Sequence, residues 1–271
     1  MSYNLLKGKR GIIFGALDEN SIAWKVAEKV QEEGGVFTLT NAPVALRLGT
    51  INRLAEKCNA IVIPADVTLT EDLENLFAKS VEQLGGKLDF LLHSVGMSPN
   101  VRKGKEYTDL NYEFYHKTLD ISAMSLHRTL QVAKKMDAIA EGGSVVTLTY
   151  IAAQRVFPGY NDMADAKAML ESVVRSFGYY YGKDKKVRVN AVSQSPTKTT
   201  AGTGVKGFDG FYNYAELMSP LGNASAAECA DFCVALFSDL TKKVTMQTIF
   251  HDGGFSYMGV STEVIAKFGE L

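Results

Sequence analysis

Two phenols and an ammonium group fall within one short segment of the chain, at Tyr150, Tyr160 and Lys167. A phenol can give a hydrogen bond, or a proton, to an oxygen on which negative charge develops. Its free pKa is near ~10, and a neighbouring lysine ammonium lowers it. Tyr160 and Lys167 are seven residues apart, about two helical turns. Both can face one pocket if the first turn is irregular, which Pro158-Gly159 favours. Taken alone, such spacing is more commonly explained by buried tyrosines beside a solvated lysine. The surrounding elements decide between the two.

The segment follows a β-rich run, Ser144 to Thr149, and leads into a helical pattern from Ala164 to Tyr181. It therefore sits where a strand ends and a helix begins, the place at which open α/β sheets bind ligands. Further strands are expected at Gly11–Phe14, Val36–Thr40, Ile61–Ile63, Leu88–His93, Val187–Val192 and Gln247–Phe250. Between them, helices are expected from Ser21, over Val44–Lys57, over Thr70–Leu84 with Thr70 as N-cap, over Tyr112–Ala140 and over Ala226–Leu240. Strands and helices alternating in this way predict an α/β fold: one doubly wound, Rossmann-type parallel sheet of about seven strands with helices on both faces. No second domain or internal repeat is visible, so residues 1–271 read as a single domain. The one irregular stretch runs from Gln194 to Gly222 and mixes Gly202, Gly204, Gly207 and Gly210 with Phe208, Phe211, Tyr212 and Tyr214. A loop of that length is usually functional or disordered, and its aromatics point to a lid near 196–222 that closes over an apolar ligand. An aromatic surface excursion or an oligomer contact is the competing explanation.

Composition sets limits on function. The chain has 271 residues, 46% hydrophobic and 22% charged, enough for a well-packed core. A formal charge of −1 gives no reason to expect nucleic acid or an anionic membrane as partner. No apolar run approaches a membrane span, and the opening residues lack the apolar core of a signal peptide. Cys58, Cys229 and Cys233 have no metal-type spacing to histidine, and none of the four histidines reads as a ligand, so no metal is expected. The expectation is a soluble, reduced, cytoplasmic protein.

A dinucleotide would place its pyrophosphate on the first strand–turn–helix. The usual Gly-x-Gly-x-x-Gly is replaced there by Gly15 followed by Ser21-Ile22. Asp66-Val67 follows the third strand, where a carboxylate can accept from an adenine amino group, although a turn or cap role is equally consistent. Ser94-Val95-Gly96 follows the fourth, where small residues let a cofactor pass close to the backbone. After the second strand the chain reads Asn41-Ala42, with neither the carboxylate nor the arginine that would discriminate the ribose 2′-group. The lack of positive charge favours NADH over NADPH, with Arg47 the exception.

These residues, in this order, resemble the short-chain dehydrogenase/reductase superfamily, and within it the divergent branch of type I bacterial enoyl-[acyl carrier protein] reductases. The resemblance covers about Leu6 to Met258. It is carried by Tyr-x9-Tyr-x6-Lys at Tyr150, Tyr160 and Lys167, by Gly15-x5-Ser21-Ile-Ala, by Ser94-Val-Gly, by Arg188-Val-Asn-Ala-Val-Ser193 and by Asp252-Gly-Gly-Phe-Ser256. It implies catalytic roles for Tyr150, Tyr160 and Lys167. It implies cofactor contacts from Gly15, Ser21, Ile22, Asp66, Val67, Ser94, Val95, Gly96, Lys167, Pro196, Thr197 and Thr199. Gly96, Tyr150, Tyr160, Met163, Ala201 and Phe208 would line the substrate pocket. The implied reaction is NADH-dependent reduction of trans-2-enoyl thioesters carried on acyl carrier protein. A homotetramer built on the helices around 112–140 and 160–181, and inhibition by diphenyl ethers such as triclosan, are implied as well. The chain departs from the family at Gln194-Ser195 before Pro196, at Thr197, where an isoleucine is usual, and at Ala42, where a glutamine is usual.

Two other readings compete. A carbonyl reductase of the same superfamily would want a serine about thirteen residues before the tyrosine and a lysine four after it, where this chain has Thr147 and Ala164. A non-catalytic dinucleotide sensor would not need Tyr160 and Lys167 together.

Overall fold

The computed structural model describes residues 2–48, 50–205 and 207–269. Residue 49 of the expected second helix, residue 206 of the expected lid, and residues 1, 270 and 271 lie outside it. Seven strands form one all-parallel sheet in the order β3-β2-β1-β4-β5-β6-β7. They are β1 Arg10–Phe14, β2 Val36–Thr40, β3 Ile61–Val62, β4 Leu88–His93, β5 Ile139–Thr149, β6 Arg188–Gln194 and β7 Thr248–His251. The helices are α1 Ile22–Glu32, α2 Pro43–Leu48, α3 Ile51–Cys58, α4 Thr70–Leu84, α5 Pro99–Arg102, α6 Tyr112–Leu119, α7 Ser125–Lys135, α8 Asn161–Lys185, α9 Phe208–Met218, α10 Ala226–Phe237 and α11 Thr262–Ile265. The doubly wound fold expected from the alternating pattern is the fold observed.

Strand side chains alternate between two cores, as the period of two requires. Ile12, Phe14, Leu91, Val145 and Val189 point to one face, where Leu73, Leu130 and Leu170 of α4, α7 and α8 cover them. Ile13, Phe90, Leu92, Val146 and Val192 point to the other, against Val26 of α1, Leu54 of α3 and Cys233 of α10. Each fully buried aliphatic side chain is worth ~1.5–3 kcal/mol, so the two faces together anchor the sheet ends that build the site. Cys229 and Cys233 are buried and unbridged, a packing role. Among the described residues, no helix is long and apolar enough to cross a membrane.

Several elements differ from expectation. The helix expected over Val44–Lys57 is two, α2 and α3; the sequence between them reads Gly49-Thr50, both poor helix formers. Thr70 is the first helical residue rather than the cap, which is Leu69 without a side-chain bond. The helix expected to run from Tyr112 to Ala140 passes through a π-turn at Asp120–Met124 and ends at Lys135. The next strand then begins at Ile139, earlier than Val145, because Ala138, Ile139 and Gly143 meet the edge of β4. Residues 208–218 of the supposedly irregular stretch form the helix α9.

Candidate active site

The sheet reverses winding between β1 and β4, and a crevice opens at their carboxyl ends. Gly15 stands there with φ +90, its N–H donating to the Thr40 carbonyl at 3.0 Å. A β-carbon at this position would lie 1.8 Å from the Ser94 carbonyl oxygen, so only glycine lets the two loops meet. Ser21 precedes α1, accepts from Leu17 N–H at 3.3 Å and donates to the Asp18 carbonyl at 2.7 Å. Ile22 opens α1, and the first turn carries no acidic side chain. An eleven-residue helix whose N-terminus has no acid of its own is suited to a diphosphate. Gly15→Ala is expected to weaken NADH binding by at least about tenfold, ~1.4 kcal/mol, because the loop must shift away from Ser94. Fluorescence titration of the variant against wild type checks this.

The remaining cofactor candidates line the same edge with unequal freedom. Asp66 accepts from Thr68 N–H at 2.9 Å and from Thr68 Oγ1 at 2.7 Å. Its turn-forming role is therefore real. The Val67 carbonyl accepts from Arg128 at 3.0 Å, which fixes this loop to α7. Asn41 donates to the Ala16 carbonyl and accepts from Ala42 N–H, so its amide is spent on the turn while Ala42 offers no charge. Ser94, Val95 and Gly96 follow β4; Met97 N–H and carbonyl are both held by Ser122 Oγ of the π-turn. Pro196 is buried, Thr197 Oγ1 donates to the Ser195 carbonyl at 2.9 Å, and Thr199 Oγ1 accepts from Gly202 N–H at 2.9 Å. Gln194 takes part through His251, which it meets at 2.8 Å.

Tyr150 and Tyr160 come together across the turn that follows β5, their ring centroids 5.2 Å apart at 60°. Lys167 lies two turns into α8, is 8% exposed, and donates from Nζ to the Leu148 carbonyl at 2.8 Å. Leu148 is two residues before Tyr150, so the amine and both phenols are tied to one strand end. A β-carbon on Gly96 would lie 3.9 Å from each of Lys167 Nζ, Met163 Cε and Ser122 Oγ, which puts those groups on the opposite wall of one cleft. Among the described residues, no cluster of acidic, histidine or cysteine side chains could hold a metal.

The electrostatics differ from expectation in one respect. Burial pushes both phenols up, and no depression of Tyr160 by lysine offsets it. Burial also lowers Lys167, to about 8, with the Glu171 carboxylate opposing the drop. The ammonium is turned onto the Leu148 carbonyl, and desolvation of the phenol prevails. Tyr160 is therefore a neutral O–H donor over the ordinary pH range, not a poised phenolate. His93, buried beneath this corner, is driven down to about 3 by burial and then by Lys167, and its ring nitrogens meet Ser125 at 3.0 Å and Thr147 at 3.2 Å.

An aromatic wall completes the cleft. Phe157 packs 5.1 Å from Tyr150, and Phe211 of α9 and Phe255 after β7 pack against Phe157 at 6.0 and 6.2 Å. Phe208 faces Tyr212 instead, at 6.0 Å, and Ala201 is exposed in the turn before α9. Of the expected pocket residues, Gly96, Tyr150, Tyr160 and Met163 are brought together; Phe208 and Ala201 are not part of that group. Phe208 and Phe211 stand one turn apart on α9, Phe211 against Phe157 and Phe208 against Tyr212, a helical spacing that a loop reading could not assign.

Sequence reasoning also missed Asp162. It is fully buried and accepts from Ser98 Oγ at 2.7 Å, Asn100 Nδ2 at 2.9 Å and Thr118 Oγ1 at 2.8 Å. Beside it Asn161 has φ +45 and donates to the Lys105 carbonyl. Together they bind the 98–105 loop and α6 to the start of α8, directly after Tyr160. Its position in the first turn of a helix was the available signal, but that signal ordinarily means an exposed cap.

Comparison with known proteins identifies the family. Residues 15–256 match the family described as Enoyl-(Acyl carrier protein) reductase. The NADH-dependent enoyl-[acyl-carrier-protein] reductase of Rickettsia bellii is 37% identical, over 96% of this chain and 98% of its own. The structure is similar to that of the FabI–NADH complex from Alistipes finegoldii, with a TM-score of 0.95 and 66% identity over 96% of this chain and 92% of that one. The Bacillus cereus enoyl-acyl carrier protein reductase, solved with NADP+ and an indole naphthyridinone, is 32% identical with a TM-score of 0.88, over 96% of this chain and all of that one. With the family match spanning residues 15–256 and a relative 37% identical over nearly its whole length, the chain belongs to the enoyl-(acyl carrier protein) reductase family.

Proposed function

We propose that Tyr160, aided by Tyr150 and Lys167, carries the reduction of trans-2-enoyl-acyl carrier protein thioesters that defines this enzyme's family, with the chain acting as one catalytic domain. The observation behind the reading is the pairing of Tyr150 with Tyr160 beyond the end of β5, with Lys167 bonded to the Leu148 carbonyl of that strand and facing Gly96. Bound NADH supplies a hydride from its nicotinamide to the β-carbon of the substrate. Negative charge then appears on the thioester oxygen, and a proton taken up from solvent at the α-carbon completes the saturated thioester. Tyr160 donates its O–H to that oxygen, a contact worth most in a cleft closed to water. Lys167 presents its ammonium to the ribose hydroxyls and keeps the local potential positive. Tyr150 packs on Tyr160 and fixes its ring. Gly15, Ser21, Ile22 and the Ser94–Gly96 and Pro196–Thr199 segments hold the cofactor, and Asp66-Val67 borders its adenine. The missing charge at Ala42 favours NADH over NADPH. The lid, with α9 as its body, brings Phe211 against Phe157 and excludes water from the acyl chain, while Phe208 and Ala201 line the outer part of the path.

Several further features are part of the same reading. The Tyr160 phenol offers an anchor for diphenyl ethers such as triclosan. The outer face of α7 and α8, with Met169, the edge-to-face pair His127 and Phe177, and the largely exposed Tyr180, is the surface on which copies associate into a homotetramer. The compartment is the cytoplasm, in keeping with three unbridged cysteines.

Mixing the protein with NADH and a crotonyl thioester tests the activity. NADH absorbance should fall in step with saturated product, and no fall above the uncatalysed rate would refute the reaction. Lys167→Ala should weaken NADH binding by roughly 10–100-fold, the loss of charge-assisted bonds worth ~1.5–3 kcal/mol. Unchanged affinity by fluorescence titration would remove Lys167 from the cofactor site.

A further inference from the structure

Glu171 is 4% exposed, inside α8 and four residues beyond Lys167, so the two side chains share one helix face. They do not bond each other. Lys167 Nζ takes the Leu148 carbonyl, and the Glu171 carboxylate accepts from Thr149 Oγ1 and Gln154 Nε2, both at 3.0 Å. Leu148 and Thr149 are consecutive residues of β5, and Gln154 lies in the turn after it. Two neutral donors require only an acceptor, which a glutamine could provide. Burying a charge there is costly unless something compensates it. The compensating group on this face is the equally buried ammonium of Lys167.

Resting on the reading in which Lys167 holds the cofactor ribose, we propose that Glu171 is a positioning residue that keeps Lys167 in its ammonium form from one helical turn away. Attraction between buried opposite charges persists where exposed pairs are screened. Without the carboxylate, burial alone acts on Lys167, whose pKa already stands at about 8, and lowers it further. The sign follows directly. The ammonium is lost as pH rises through the Lys167 pKa, so removing Glu171 moves that loss to lower pH. Other groups around this corner do not titrate in the same window. His93 of β4 is neutral above about 3, and the phenols of Tyr150 and Tyr160 are pushed up by burial, Tyr150 also by Tyr160 and Asp252. Asp162, in the first turn of α8, faces Ser98, Asn100 and Thr118 instead.

The test is the pH profile of NADH affinity, read by fluorescence titration on the full chain. For Glu171→Gln, the alkaline midpoint should fall by about one pH unit, a roughly tenfold loss of affinity above the wild-type midpoint. Affinity at low pH should remain unchanged. Glu171→Asp should restore the wild-type midpoint. Thr149→Val with Gln154→Leu removes the donors but leaves the carboxyl group beside Lys167, and should move the midpoint less than Glu171→Gln does. This pair of changes carries the test if Glu171→Gln does not fold. A superimposable profile for Glu171→Gln overturns the proposal, as does an equal loss at every pH in the Thr149/Gln154 variant. A Lys167→Ala protein that binds NADH normally would overturn the underlying reading. Loss in Lys167→Ala beside an unshifted Glu171→Gln profile overturns only the role of Glu171.

Discussion

Tyr160→Phe is expected to lower kcat for an enoyl thioester by ~10²–10³-fold, the usual effect of deleting one donor to a developing oxyanion. Affinity for NADH should hardly change. The ring would keep its place, since its contacts with Tyr150 at 5.2 Å and with the core beneath are made by carbon. What is lost is the hydroxyl, and with it a bond that strengthens only as charge moves onto the thioester oxygen. Because burial raises the Tyr160 phenol, the group is a neutral donor throughout the working range, so its removal should lower the whole pH–rate profile without changing its shape. Steady-state rates across pH measure both features. Full activity in Tyr160→Phe would transfer the donor role to Tyr150.

Asp162→Ala should give the largest loss of stability. The substitution strands the hydroxyl of Ser98 and one amide hydrogen of Asn100, while Thr118 keeps the Phe114 carbonyl as acceptor at 2.8 Å. Each unsatisfied buried donor costs ~1–3 kcal/mol, against a total of ~5–15 kcal/mol for a typical domain. A loss of ~3 kcal/mol corresponds to a fall in Tm of roughly 6–12 °C for a chain of this size class. Asp162→Asn keeps one acceptor and should fall between the two. Thermal unfolding followed by circular dichroism reads the result, and a Tm within a degree or two of wild type for Asp162→Ala would show that the two stranded donors find water instead. Activity should suffer beyond stability, because the same bonds hold the 98–105 loop next to Tyr160.

What the sequence reveals of this site depends on how local the signal is. Gly15, Ser94, Tyr150, Tyr160 and Lys167 could be placed in advance because each follows directly from a strand end or a helical step. The strand runs were equally plain, as buried parallel strands are short continuous apolar stretches. Asp162 and Glu171 were hidden for a different reason. Their partners lie in α5, α6 and the end of β5, and a polar residue on a helix looks solvated until the fold shows what covers it. The α9 helix was obscured by glycines at Gly207 and Gly210, which lower helix propensity by about 1 kcal/mol each. It forms nonetheless because Ala215 and Met218 are buried beneath it. The π-turn at Asp120–Met124 has no composition that distinguishes it, yet it delivers Ser122 to the Met97 backbone.

The cleft takes its parts from the tips of β1, β4, β5 and β6, at Gly15, Ser94, Tyr150 and Pro196, stretches far apart along the chain but adjacent in the sheet. No single hairpin or helix pair can assemble it, and parallel pairing across such separations is slow because the loops must close first. During folding the helices therefore appear well before a competent pocket does. A chain interrupted between those stages would have most of its secondary structure and no catalytic power.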